Sequence, residues 1–313
     1  RYNANQGVLL ACGGFPGNPY MMEQLDPLGT SVTTACSYSP ADKGYGIRAA
    51  VWAGANLDKE AAPMLFDRGI VAPGVDAGYV DSDSAFGGKA FPGKIRQYNP
   101  GTQPFLKVNR NGERFANEQL YGAALGYELV DRQGGKGWLI IDGKLRAQAM
   151  RQCLFGRIWA FQSLPALAMM LLSAKKAATP EALAARIQVD PAKLRASIDA
   201  ASAAARGECE DAFGKSPDMR HDLSRGSFYA IDISIGSPTF PLAVLTLGGL
   251  VVNEDNGQVL DDAGQPIAGL FAAGRAAIGL PSSRYISGLS LADCVFSGRR
   301  AGRAASHSTN NKG

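Results

Sequence analysis

The strongest constraint on this chain lies near its start, where the apolar run Gly7–Cys12 (GVLLAC) breaks off at Gly13-Gly14. A short apolar run closed by two glycines reads as a buried strand that turns sharply at its C-terminal end. In an α/β sheet, ligands sit at such ends. The next glycine-punctuated stretch, Lys43–Ala55 (KGYGIRAAVWAGA), reads as a loop feeding a helix that stops at Gly54. The chain up to residue 61 is therefore expected to be α/β and to carry part of a cofactor-binding domain.

Glycine usage agrees, since 38 glycines in 313 residues exceed the average of about 7%. Such an excess suits tight turns and close backbone approach to a ligand. A formal charge of +4 with no basic run gives nucleic-acid binding no electrostatic support. The 5 cysteines are scattered, with no C-x-x-C pair and no nearby histidine, so neither a disulfide framework nor a metal site is expected. The longest apolar stretch, Leu164–Leu172, is far short of the roughly 20 residues of a membrane span and reads as a buried helix. The chain opens on Arg1 with no signal peptide, so a cytoplasmic protein whose natural start lies upstream is expected.

From about residue 62 the pattern changes. Lys107–Glu118 (KVNRNGERFANE) places an Asn-Gly turn at Asn111-Gly112 between strand-like arms. Thr179-Pro180 and Asp190-Pro191 each put a capping residue before a proline at the first helical position, predicting two consecutive helices. The alanine-rich run Leu194–Ala205 is read as packing. Strand signals return in Phe228–Ile233, Leu242–Leu247, Leu250–Val252 and Leu270–Ala273, with a turn at Asn256-Gly257, and a final helix spans about Ser290 to Ala305 before a polar tail expected to be disordered. Three segments result: 1–61 and 225–313 as parts of one α/β cofactor-binding domain, and 62–224 as a different, inserted α+β domain.

The order of three motifs is specific. ACGGF at Ala11–Phe15, VNRNGERFANE at Val108–Glu118 and the stretch Gly248–Ala277 ending in AAGRAA together resemble the flavoprotein superfamily of soluble fumarate reductases and 3-ketosteroid dehydrogenases. The resemblance implies a Rossmann-like FAD-binding domain with an inserted cap. It implies FAD held by Ala11, Gly13 and Gly14 on one side and by Gly274, Arg275, Gly288, Ser290 and Leu291 on the other. If Gly288–Ser290 opens the last helix, the positive end of its dipole suits a ring that gathers negative charge on reduction. Arg275 departs from the acid many members carry there. The family's G-x-G-x-x-G unit is absent, so a missing N-terminal segment or a second polypeptide is expected to complete the FAD site.

Within the superfamily, fumarate reductases resemble one another in using a donor arginine, with histidines on the substrate carboxylates. Here the two histidines, His221 and His307, are read as surface residues, Leu245-Thr246-Leu247 stands where a reductase histidine is expected, and Tyr121-Gly122 follows Asn117-Glu118. Arg284–Phe296 (RYISGLSLADCVF), with its Tyr-x-Ser-Gly at Tyr285–Gly288, resembles instead the 3-ketosteroid Δ4-(5α)-dehydrogenases. This implies a steroid or cyclic-ketone substrate, with Tyr285 and Ser287 removing a proton beside the ketone and Tyr121 serving its carbonyl or the relay. A 3-ketosteroid Δ1-dehydrogenase, another enone reductase, and a non-catalytic subunit or fragment without flavin are the alternatives.

Overall fold

A computed structural model describes residues 3–25, 42–58, 61–64, 79–81, 96–98, 104–120, 122–155, 160–224, 226–234, 237, 243–281, 285–286 and 289–307. The chain divides into two compact units, one made of Arg1–Met64 with Ala243–Gly313 and the other of Leu65–Leu242. Helices and sheets mix in both, as an α/β class requires.

The first unit begins with β1 (Val8–Leu10), α1 (Pro19–Leu25), α2 (Tyr45–Trp52) and β2 (Ala61–Met64). α2 ends at Trp52, two residues before Gly54, whose φ of +95° few L side chains adopt, so the expected stop is where the chain leaves the helix. The second unit contributes β3 (Tyr79–Asp81), β4 (Arg96–Tyr98), β5 (Leu106–Asn109), α3 (Gly122–Tyr127), β6 (Gly137–Asp142), α4 (Gly143–Phe155), α5 (Ala160–Ala168), β7 (Lys175–Ala177), α6 (Pro180–Ile187), α7 (Pro191–Ala205) and β8 (Phe228–Asp232). The chain then returns to the first unit with β9 (Ala243–Thr246), β10 (Gln258–Leu260), β11 (Pro266–Ala272) and α8 (Leu289–His307).

In the first unit β1 pairs in parallel with β11, Val8 opposite Leu270 and Leu10 opposite Ala272, while β10 pairs antiparallel on the far side of β11. β2 and β9 form a separate antiparallel pair. One expectation is corrected here: β1 is an edge strand rather than a buried one, with Val8 47% and Leu9 37% exposed, because its only sheet neighbour among the described residues is β11. Leu250 and Val252 make single bridges instead of a strand. α8 runs on through Ser306 and His307, two residues expected in the polar tail.

The second unit is built on a four-stranded antiparallel sheet in the order β5-β6-β8-β7. Leu106, Val108, Ile140, Ile141 and Ala230 from its strands pack with Leu125, Leu129, Leu145, Leu183, Leu194 and Ile198 from the helices into one buried core. Each valine, leucine or isoleucine among them contributes about 1.5–3 kcal/mol on burial. α6 and α7 begin where their caps predict: Thr179 Oγ1 accepts from the Ala182 amide at 3.2 Å, and Asp190 Oδ1 accepts from the amides of Ala192 at 2.8 Å and Lys193 at 3.1 Å. The run Leu194–Ala205 packs as expected, with Leu194, Ile198, Ser202 and Ala204 on its buried face.

Leu164–Leu172 is helical, continuing from α5 into a π-helical turn at Met169–Ser173, but it is not a buried helix. Ala166, Met169 and Met170 recur at the 3–4 residue spacing of one face and enter the core. Leu164, Leu171 and Leu172 fall on the other side and stay exposed. Among the described residues no helix is long and apolar enough to cross a membrane.

Candidate active site

Because β1 and β11 are parallel, they end on the same side and deliver their glycine-bearing turns together. The carbonyl of Leu10 accepts from the Ala273 amide at 3.0 Å, so Ala11-Cys12-Gly13-Gly14 leaves the sheet beside Ala273-Gly274-Arg275. The sheet thus brings together two groups 260 residues apart in sequence that the resemblance implies for one cofactor.

Glycine is required at Gly14, where a Cβ would lie 2.2 Å from Thr246 Oγ1. At Gly13, with φ +81°, a Cβ would come within 2.6 Å of Asp42 Oδ1. Both glycines therefore let the turn pack on its own unit. The Phe15 amide points to the same Thr246 hydroxyl at 3.4 Å, and Phe15 is fully buried.

Thr246 links this turn to the second one. Its carbonyl accepts from Arg275 at 2.8 Å, while another Arg275 nitrogen donates to Ser290 Oγ at 2.8 Å. The guanidinium also lies over the Tyr285 ring, 5.8 Å from its centre. Arg275 thus ties β9, the start of α8 and Tyr285 to the strand end of β11, which a carboxylate of this reach could not do by donating hydrogen bonds. Gly274, at φ +60°, donates to Ser297 Oγ at 2.9 Å, and Ser297 donates to the Asp293 carbonyl at 2.6 Å. Asp293 is buried, and its Oδ1 accepts from the Leu280 amide at 3.2 Å.

Of the residues expected to hold FAD, Ala11, Gly13, Gly14, Gly274, Arg275 and Ser290 belong to this connected set. Leu291 does not share it: its side chain is 75% exposed and lines an open groove of about 1180 Å³ with Glu254, Val295 and Arg299. Gly288 and Ser287 lie outside the described residues, as does Tyr121. Thr246, in a segment that the sequence marks only by its lack of a histidine, joins the same set through its hydroxyl and its carbonyl.

The arrangement fits a flavin. A Cβ added at Gly274 would meet only Cys294 Sγ, at 3.4 Å, so the backbone there is open to a close neighbour. The first-turn amides of the 19-residue helix α8 have no partner within the helix and carry its positive dipole end. With the Arg275 cation, they make a donor set suited to a ring that becomes anionic on reduction. The open groove along α8, lined by Leu291, Val295, Phe296, Arg299, Arg300 and Arg303, includes none of the glycine turns, and chemistry is assigned to the strand ends.

In the second unit the Asn-Gly turn is present, with Gly112 at φ +88° and Asn109 Oδ1 accepting from the amides of Asn111 at 2.9 Å and Glu113 at 3.0 Å. The second arm of the expected hairpin is reduced to one bridge, Val108 opposite Arg114. Arg114 turns inward instead, donating to both oxygens of Glu118 at 3.0 and 2.8 Å and to Asp211 Oδ2 at 2.6 Å. Glu118, fully buried, also accepts from the Lys107 amide at 3.1 Å and from Lys215 Nζ at 2.9 Å. Burial alone would raise the Glu118 pKa, but Lys215 and Arg114 outweigh it and hold the carboxylate below its ordinary range. Burial draws the Lys215 ammonium below the usual lysine range despite the pull of Glu118.

His221 corrects a further expectation. It is not a surface residue: its side chain is 6% exposed and its Nε2 lies 3.2 Å from Asp142 Oδ2, while Asp142 Oδ1 caps α4 by accepting from the Leu145 amide at 2.8 Å. The buried neighbours Met219 and Leu223 carry it inward. His307 is exposed as expected.

A parallel pair of strand ends with glycine turns, a helix N-terminus and a cation is the arrangement of an α/β cofactor-binding domain. The chain belongs to the FAD binding domain family, matching it over residues 1–285, and its cofactor is FAD. Over 169 residues, 54% of this chain and 32% of the relative, it is 59% identical to a 3-oxo-5-alpha-steroid 4-dehydrogenase from Comamonas testosteroni. It is 30% identical over 318 residues, 96% of this chain and 60% of the relative, to a vinyl phenol reductase from Lactiplantibacillus plantarum. The fold matches the crystal structure of a 3-ketosteroid-delta4-(5alpha)-dehydrogenase from Rhodococcus jostii RHA1 with a TM-score of 0.66 at 24% identity, covering 97% of this chain and 53% of that one. The chain thus spans a third to three-fifths of the length of these proteins.

Proposed function

We propose that the chain is the flavin-clasping and substrate-capping part of an FAD-dependent oxidoreductase that dehydrogenates a 3-ketosteroid between C4 and C5. The observation that carries this reading is the Arg275 hub, which holds the ring of Tyr285 beside the turn at Gly274 and the start of α8. The 59% identity to a steroid 4-dehydrogenase supports the choice of substrate. Residues 65–242 act as the cap.

Bound FAD supplies the acceptor for the hydride leaving C5. The proton leaving C4 goes to the Tyr285 hydroxyl, with Ser287 passing it on, and Tyr121 hydrogen-bonds the ketone oxygen or extends the relay. A tyrosine suits this work because its ring packs on an apolar substrate while its hydroxyl, with a reference pKa near 10, polarises or relays. A segment supplying the ADP-binding turn that this sequence lacks, from the same polypeptide or a second one, completes FAD binding in this reading.

The test is anaerobic reduction of the FAD-loaded enzyme by a 5α-reduced 3-ketosteroid, with the product identified. A 4-ene-3-ketone is expected, and Tyr285→Phe is expected to slow flavin bleaching by roughly 10² to 10⁴-fold while FAD content stays the same. A 1-ene product would transfer the assignment to a Δ1-dehydrogenase. Bleaching of Tyr285→Phe at the wild-type rate would remove Tyr285 from the mechanism.

A further inference from the structure

Charge is spread unevenly along the chain. From residue 143 to residue 180 the sequence holds six cations, Lys144, Arg146, Arg151, Arg157, Lys175 and Lys176, and no aspartate or glutamate. The whole chain carries only +4, so everything outside this stretch is net negative. The same stretch forms α4, α5 and the π-helical turn that continues α5, and it ends in β7, the outer strand of the four-stranded sheet.

The apolar side chains of the stretch are placed as unusually as its charges. In α5 and its continuation, Ala166, Met169 and Met170 enter the core, while Leu164, Ala168, Leu171 and Leu172 recur at positions i, i+4, i+7 and i+8 and face solvent. Leu172 is 86% exposed, and Phe155, at the end of α4, is 76% exposed. Arg146, in the first turn of α4, donates to the Met170 carbonyl at 3.2 Å, which brings the start of α4 beside the end of this helix. Lys144, Arg151, Lys175 and Lys176 are exposed.

A helix that is apolar on both sides is ordinarily buried, and an exposed apolar stripe marks a contact surface. Lysine on an edge strand has a plainer use, because its charge discourages pairing with a foreign strand. That accounts for Lys175 and Lys176, but not for the other four cations or for the leucines. The core of a protein–protein interface is depleted of charge and its rim carries both signs. An apolar helical stripe accompanied by cations alone is instead the composition of a helix that lies in the surface of an anionic bilayer. Such a helix rests on the membrane without crossing it, in keeping with the absence of a spanning helix among the described residues.

We propose that the α4–α5 face of the second unit is a membrane-docking surface. Leu164, Leu171 and Leu172 enter the acyl boundary of an anionic bilayer, and Lys175 and Lys176, which follow three residues after Leu172, meet its headgroup phosphates. The inference uses only the surface of the second unit and is independent of the substrate assignment. Where that assignment holds, docking puts the enzyme on the phase into which an apolar steroid partitions.

Flotation of the complete, FAD-loaded enzyme on vesicles tests the proposal without any steroid. With phosphatidylcholine mixed with phosphatidylglycerol, the enzyme is expected to rise with the vesicles at low salt, and with phosphatidylcholine alone to stay largely behind. Raising the ionic strength to about 1 M, where the screening length falls to roughly 3 Å, should release most of it. Lys175→Ala and Lys176→Ala should each weaken partitioning about fivefold. Leu171→Ser combined with Leu172→Ser should weaken it by roughly 10²-fold. All four positions are exposed, so FAD content and melting temperature should not change. An enzyme that stays off the anionic vesicles, rises equally with both kinds, or rises as well with the two leucines replaced overturns the proposal. In the first case light scattering identifies a second copy as the occupant of the face, if the enzyme is a dimer that the leucine double variant dissolves.

Discussion

The strand ends of the first unit and the Asn117–Leu120 turn of the second each hold a short irregular segment in one conformation, and they do so by opposite means. At the strand ends the precision comes from missing side chains: a Cβ at Gly14 would lie 2.2 Å from Thr246 Oγ1, one at Gly249 2.9 Å from the Ala276 carbonyl, and one at Gly279 2.2 Å from Asp293 Oδ2. In the second unit it comes from charges taken out of water, with Glu118 bound by Arg114 and Lys215 at once. The difference follows from what each place has to admit. A cofactor ring needs open backbone and amide donors, whereas a turn that must hold its register can be packed solid with side chains.

The two kinds of fixation should fail differently. The largest effect is expected at Glu118→Ala, which leaves Lys215 and Arg114 buried without their shared carboxylate and should cost about 3–5 kcal/mol of stability. Chemical denaturation of the chain measures it, and a loss below about 1 kcal/mol would mean that water enters the site and the charges are not structural.

A smaller loss, about 1–3 kcal/mol, is expected for Gly14→Ala, where a methyl group is forced against Thr246. It should be accompanied by loss of FAD, and the double variant Gly14→Ala with Thr246→Ala should recover part of both, because the clashing oxygen is removed. No recovery would show that the strand end is strained by something other than this contact.

The smallest effect is in the pH dependence. The Glu118 carboxylate has a folded pKa held below its ordinary 4.5, so the stability it contributes is present above about pH 4.5 and is lost as the pH falls through that lower folded value. Melting temperature should therefore drop on acidification, and Glu118→Gln, already less stable at neutral pH, should drop by less over the same range. Equal slopes would assign the acid sensitivity to other carboxylates, of which Asp211, also lowered, is the first to examine.

The features that depend only on neighbours in the chain were legible without coordinates. Gly54 ends a helix because its φ suits glycine, and Thr179 and Asp190 cap helices because their side chains reach amides two or three residues on. The glycine turns at Gly13-Gly14 and Gly274 mark strand ends for the same local reason, and their order along the chain resembles one superfamily closely enough to imply FAD.

What the sequence could not state are relations between positions far apart in the chain. Arg275 bonds to Thr246 across 29 residues, and Lys215 to Glu118 and Arg114 to Asp211 across 97. No spacing announces such pairs, since they arise where the fold happens to exclude water. Exposure was hidden for the same reason. Val8 and Leu9 are as apolar as any core residue, yet they lie on an edge strand, and His221 sits in a charged stretch but is carried inward by Met219 and Leu223. Residue type sets what a side chain can do, and only the tertiary structure decides whether it meets water, a partner or nothing at all.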